Sequence, residues 1–223
     1  NVLVTSPQDG VRAAPAITRA AQAGIPVVLL SRAAPGAEVT TFIAPDNREL
    51  GRDVALFFAE RTKKPTRILV LQGIPTSTAA IERTEGFREE VNRHKHLGIA
   101  AIVPANYLRA DAVRAMEDIL AKKIPFDALY AQSDSMAIGA RVALRRAGID
   151  PATIPTVGID YVREAREAIR DGEQTASFVL PTGARECAEI VLRILKGESV
   201  PKTVRIPLQL VTRDNVERIE PIF

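Results

Sequence analysis

Gly24-Ile25-Pro26-Val27-Val28-Leu29-Leu30-Ser31-Arg32 decides the fold. A glycine stops a helix, an unbroken β-branched and leucine run follows, and the run ends abruptly in a hydroxyl and a guanidinium. Strands exposed on one face alternate apolar with polar residues. A continuous apolar run of this length reads as a strand buried on both faces, the signature of a parallel sheet covered by helices. Upstream, Val2 to Thr5 is a second short strand, ending in the turn cluster Ser6-Pro7-Gln8-Asp9-Gly10. Ala13 to Ala23 then places apolar residues at helical spacing, and Gly24 closes that helix.

The alternation continues to the end of the chain. The pattern predicts helices over 48–60, 77–92, 110–121, 135–147, 163–170 and 183–196. It predicts strands over 67–72, 99–103, 128–131, 156–159, 175–180 and 205–210. Strand–helix–strand units need right-handed crossovers, so the fold class is α/β with doubly wound parallel sheets. Ligands in such sheets gather beyond the carboxyl ends of the strands. The residues there are small, polar or charged: Ser6 to Asp9, Ser31-Arg32, Gly73 to Ser77, Asn106-Tyr107, Ser133-Asp134 and Asp160-Tyr161.

Composition narrows the function. The chain has 223 residues, 46% hydrophobic and 26% charged, with a formal net charge of +3. The charges are interspersed, as in Arg83, Glu85, Arg88, Glu89 and Glu90, which reads as a mixed surface rather than a nucleic-acid footprint. No apolar run reaches the roughly 18 residues of a membrane span. The single cysteine, Cys187, sits at an apolar helical position and reads as a buried, inert thiol. His94 and His96 lie in a polar turn without a carboxylate or cysteine cluster, so no metal site is expected. No phosphate-binding loop, dinucleotide fingerprint or nucleophile elbow is present. Neither a catalytic residue nor a cofactor is expected.

Each strand-end residue has two readings. Arg32 is either a bidentate donor to ligand oxygens or a solvated loop arginine. Arg83 either reaches over the strand ends or pairs with Glu82, Glu85 or Glu90 on its own helix. Asp134 is either a helix cap or a ligand contact, and Asp160 either accepts two hydroxyls or caps the next helix.

Several segments together resemble the ribose-binding family of sugar-binding proteins that serve ABC transporters, which has the type 1 periplasmic binding protein fold. They are Ala20 to Val28, Ala44-Pro45-Asp46-Asn47 with Leu50-Gly51, Leu71-Gln72-Gly73 with Arg83 to Phe87, Tyr130 to Ala140, Val157 to Asp160, and Leu210 to Val216. The resemblance implies two lobes joined by three crossings near 43–46, 179–182 and 210–212. One lobe takes 1–45 plus 181–209, the other 46–180 plus 210–223. It implies a ligand between them, with Arg32, Arg83 and Asp160 binding oxygens and Ser31, Ser133 and Tyr107 at further pocket positions. The partners implied are a small polar ligand and a transporter permease, in the periplasm or anchored outside the cell, without membrane insertion. A LacI-type regulator core and a receptor sensor domain share the pattern, and an α/β enzyme is a further alternative.

The departures are informative. The family often has Asp at Ser31, Asn at Ser133 and Gln near Val179-Leu180. Fewer amides and acids satisfy fewer hydroxyls, and each buried unpaired hydroxyl costs about 1–3 kcal/mol, so the expected ligand is not ribose but a less hydroxylated or modified sugar. The family also begins with two strand–helix units, about 60 residues, before the segment that opens here. The first lobe is therefore expected to be incomplete, with exposed apolar edges. Asn1 without a leader reads as a processed product or a fragment.

Overall fold

The computed structural model describes residues 1–223. In chain order the elements are β1 (Leu3–Thr5), α1 (Gly10–Gln22), β2 (Val27–Leu30), β3 (Thr41–Ala44), α2 (Asn47–Arg61), β4 (Thr66–Gln72), α3 (Thr78–Val91) and β5 (Leu97–Pro104). Then follow α4 (Arg109–Ala121), β6 (Ala128–Ala131), α5 (Asp134–Arg146), β7 (Thr156–Asp160), α6 (Arg163–Asp171), β8 (Ala176–Val179), α7 (Ala184–Leu195), β9 (Thr203–Arg205) and β10 (Gln209–Thr212). They form a four-stranded sheet, β1-β2-β3-β9, and a six-stranded sheet, β10-β8-β7-β6-β4-β5. The two-lobed α/β reading is borne out.

Three local expectations need correction. The strand expected over 205–210 is two strands in different sheets: β9 pairs with β3, β10 pairs with β8, and Ile206-Pro207-Leu208 passes between them. Proline removes a ladder donor there, so no single strand continues through it. The third crossing therefore precedes the expected 210–212. β10 is also antiparallel to β8, whereas every other pairing is parallel. Finally, strand periodicity did not mark β3, whose Thr41-Phe42-Ile43-Ala44 is short and mixed, although Thr41 and Ile43 are wholly buried.

β4 shows why the second lobe is stable. Ile68 and Val70 pack with Leu50, Val54, Phe58 and Phe87 on one face, in a cluster of 17 buried residues. Leu69 and Leu71 pack with Met116, Ile119 and Met136 on the other, in a cluster of 14. Successive side chains of one strand thus enter separate cores. The first lobe has two clusters of only 5 buried residues each. On its edge strand β1, Leu3 and Val4 remain 36% and 41% exposed, as do Leu192 and Leu195 of α7 at 58% and 61%. Cys187 is buried in this lobe beside Ile43 and Ile190, and burial raises its thiol pKa.

α2 and α3 lie close enough to exclude side chains at their crossing. A Cβ on Gly51 would sit 2.1 Å from the Arg83 carbonyl oxygen, and one on Gly86 would sit 2.0 Å from that of Arg48. Ion pairs from Arg48 to Glu85 and Glu89, and from Arg52 to Glu89, flank the contact. These are solvent-exposed and contribute little, so the close backbone approach fixes the pair. Gly86→Ala gains about 1 kcal/mol of helix propensity but meets backbone that cannot yield, an overpacking cost of about 1–3 kcal/mol. Urea unfolding is expected to show Gly86→Ala and Gly51→Ala less stable than the parent; a stability gain in either would contradict this packing.

Candidate ligand-binding site

The carboxyl ends of both sheets face one another across a cleft of about 260 Å³. The first lobe contributes Ser6, Ser31 and Arg32, and the second Ala79, Arg83, Tyr107, Ser133, Ser135 and Asp160. All six residues expected from the sequence, Ser31, Arg32, Arg83, Tyr107, Ser133 and Asp160, come together here. Four hollows are larger: two of about 610 Å³, one at the opposite ends of the first lobe's strands around Gly24 and Lys202 and one on the hinge side of α3, and two of about 350 Å³, around Asp53 with Arg205 and around Phe57 with Leu208. The smaller cleft is the better candidate because cations, a carboxylate, hydroxyls and an aromatic ring converge in it from several strand ends.

Arg83 is 4% exposed. Its Nε donates to Asn47 Oδ1 at 2.9 Å and its Nη1 to the Gln132 carbonyl at 2.9 Å. The expected alternative, pairing with glutamates on a wet helix face, is not what the structure shows. A buried guanidinium requires such partners, and they aim its remaining donors. Gln132 is itself fully buried: its Oε1 accepts from Gly73 N at 3.0 Å and its Nε2 donates to Thr84 Oγ1 at 2.8 Å. This amide and Asn47 went unnoticed in the sequence. A glutamine directly after the apolar run of β6 was the available signal.

Asp134 is neither a helix cap nor a cleft residue. Ser133 caps α5, its Oγ accepting from Met136 N at 3.3 Å. Asp134 turns inward, where its Oδ2 accepts from Tyr161 N at 2.7 Å, Val162 N at 3.4 Å and Ser177 Oγ at 2.7 Å, and its Oδ1 from Gln174 Nε2 at 2.8 Å. Gly158 leaves it room, since a Cβ there would lie 1.9 Å from Asp134 Oδ1. Burial pushes the Asp134 carboxyl up to about 6, against these hydrogen bonds. The carboxylate thus pins the turn that presents Asp160. Tyr161 points away, its hydroxyl donating to the Ile219 carbonyl at 3.0 Å.

Left-handed backbone gathers at this cleft. Six non-glycine residues have positive φ, and five of them, Ser31, Asn106, Tyr107, Asp160 and Tyr161, lie at its strand ends. Such conformations carry a cost that surrounding structure must impose, and they cluster at functional sites. At Asn106-Tyr107 the turn is held by Asn106 Nδ2 donating to Asp111 Oδ2 at 2.8 Å. It lays the Tyr107 ring on Gly73, where a Cβ would come within 2.0 Å of the ring. Arg32 reaches over that ring from the other lobe, 5.8 Å from its centroid. His94, by contrast, lies away from the cleft and half-buried, its Nε2 3.0 Å from Oε1 of the buried Glu90. The polar turn is therefore less solvated than its sequence suggests.

Residues 1–199 match a family model described as a periplasmic binding protein domain. Over 215 residues the chain is 34% identical to the ribose import binding protein of Salmonella typhimurium, covering 95% of this chain and 71% of that protein. It is 25% identical over 221 residues to the xylitol-binding protein of Mycolicibacterium smegmatis, covering 97% and 62%. The solved structure of the Caulobacter myo-inositol binding protein bound to myo-inositol matches with a TM-score of 0.93 at 26% identity, covering 99% and 77%. The fructose binding periplasmic domain of a hybrid two component system matches with a TM-score of 0.92 at 29% identity, covering 97% and 73%.

Burial, and next the charge of Asp134, push the Asp160 carboxyl up from 3.8 to about 7, while Arg83 pulls it down. The folded protein thus holds this proton more tightly than the unfolded chain. The contribution to stability is fully present below about pH 4 and is lost as pH rises through about 7. In thermal unfolding across that window without ligand, Asp160→Asn is expected to flatten the decline and to match or exceed the parent at pH 8. A steeper decline in the variant would contradict this electrostatic picture.

Proposed function

The chain belongs to the periplasmic binding protein domain family, and on that premise we propose that it is a solute-binding protein that captures a small sugar or polyol between its lobes. The observation that carries this reading is the convergence, from both lobes, of Arg32 and Arg83 as donors, Asp160 as acceptor and the Tyr107 ring as an apolar platform. A hydroxylated ring presents oxygens at its rim and C–H groups on its faces. Guanidinium and carboxylate groups suit the rim, and an aromatic face suits the rest. Relatives described as ribose import, xylitol-binding and myo-inositol binding proteins support this ligand class.

Ligand contacting both lobes favours the closed arrangement about the three connections at 45–46, 180–183 and 206–208. The lobes that move are 1–45 with 181–205 and 46–180 with 209–223, the boundary near 209 following β10. The closed form is then recognised by the permease of an ABC transporter, which places the protein in the periplasm or on the outer face of the cell membrane. No helix is long and apolar enough to cross a membrane. No group of three or more His, Cys, Asp or Glu side chains is placed to hold a metal ion. Ser31 and Ser133, where the ribose-binding family often has Asp and Asn, favour a ligand other than ribose, a less hydroxylated or a modified sugar. A second reading, a ligand-sensing domain of a receptor, draws support from the likeness to the fructose binding domain of a two component system.

A thermal-shift screen against monosaccharides, deoxysugars and polyols tests the proposal. A ligand at 100 times its dissociation constant stabilises the fold by about 2.7 kcal/mol. A selective shift is expected, with ribose not the tightest, and it is expected to vanish in Arg83→Ala and Asp160→Ala. A cooperative melt that no member of the panel moves would refute sugar capture by this chain.

A further inference from the structure

The hinge-side contacts between lobes are exposed: Arg205 pairs with Asp46 at 3.1 Å and more loosely with Glu49 at 3.9 Å. Away from the hinge, one hydrogen bond spans the cleft, from the Ala33 backbone N–H of the first lobe to Thr78 Oγ1 of the second, at 3.0 Å. Its donor belongs to the turn Ser31-Arg32-Ala33. That turn is tightly wound: Ser31 has φ of 59° and Arg32 N donates back to the Leu30 carbonyl at 2.6 Å. It is also buttressed from its own lobe, because a Cβ on Gly10 would lie 2.1 Å from the Ala33 carbonyl oxygen. The acceptor stands in the first turn of α3, the helix that also brings the buried Ala79 and Arg83 to the cleft.

We propose that Thr78 is a latch: by accepting the Ala33 N–H it holds the Ser31–Ala33 turn against the second lobe, positions Arg32 over Tyr107, and sets how far the cleft stands closed before ligand arrives. This deepens the proposed function and rests on its two-lobed closing motion. The physical basis is simple. When the lobes separate, Ala33 N–H and Thr78 Oγ1 each turn to water, so the closed form keeps only the net worth of one hydrogen bond. A bias of that size leaves ligand able to shift the equilibrium further, and so matches a binding protein whose two states must both be populated. Arg32 and Ala33 are adjacent, so the same bond that biases closure restricts the arginine that meets the ligand. Thr78 is therefore a positioning residue, separate from those that touch the ligand.

The test uses unliganded protein, so it does not depend on whether sugars bind. Spin labels at exposed Arg19 of α1 and Asp118 of α4, introduced as Arg19→Cys and Asp118→Cys with Cys187→Ser, report the separation of the lobes. Thr78→Val keeps the shape and removes the acceptor. It is expected to raise the ratio of wide to narrow separations about fivefold, equivalent to about 1 kcal/mol, while Thr78→Ser retains the parent distribution. In the unsubstituted chain the Ala33 amide is expected to be protected from hydrogen exchange, a readout that needs no variant to fold. An unchanged distribution in Thr78→Val, an equal shift in Thr78→Ser, or an unprotected Ala33 amide would each overturn the latch.

Discussion

A guanidinium buried to 4% exposure sets the terms for the second lobe. Arg83 cannot lie there unless its donors are taken, and the chain meets that demand from two distant places. Asn47 arrives immediately after the first crossing, and Gln132 at the end of β6. Each partner then requires its own support. Gln132 is held by Gly73 and Thr84, and α3 is held against α2 by Gly51 and Gly86. The cleft is thus continuous with the hinge and with a helix crossing that no larger residue would permit. A half-satisfied version would be worse than an apolar core, which explains why Asn47, Gln132, Gly73 and Thr84 are linked in one network behind Arg83.

Asp134 and Asp160 show the same division of labour with the opposite charge. One carboxylate is saturated by Tyr161 N, Ser177 and Gln174 and serves the backbone. The other stands unsaturated at the cleft, on a residue with φ of 109° that this backbone support holds in place. Neighbouring acids in one low-dielectric region take different roles because their hydrogen-bond environments differ.

Much of this was legible in the residues. The unbroken run at Ile25 to Leu30 announced parallel sheets, the contrast between apolar strands and polar strand ends marked where to look, and the family resemblance implied the six residues that the fold gathers in one cleft, Arg83 among them from within a helix. What was illegible has physical reasons. The division of 205–210 between two sheets turns on Pro207, whose effect depends on which edges lie nearby. Asp134 was misjudged because its position at a helix start is also where caps stand, and only the burial of α5 against β7 and β8 tells them apart. Asn47 and Thr78 carry no local pattern, since each acts on a residue more than thirty positions away.

The first sheet has a history that its small clusters do not reveal. β3 pairs with β9, matching Phe42 with Thr203, and Thr41 Oγ1 donates to the Pro201 carbonyl, a separation of 160 residues. During synthesis, β1 to β3 therefore emerge long before β9, the strand that pairs with β3. The second lobe, apart from its edge strand β10, is made entirely in the interval. It owns the two large cores and most of the local strand–helix pairings, so it is the part able to condense first. Residues 1–45, carrying the most apolar strand of the lobe, must wait for β9 to emerge. Order of manufacture therefore adds to the small clusters of the first lobe in making it the vulnerable one.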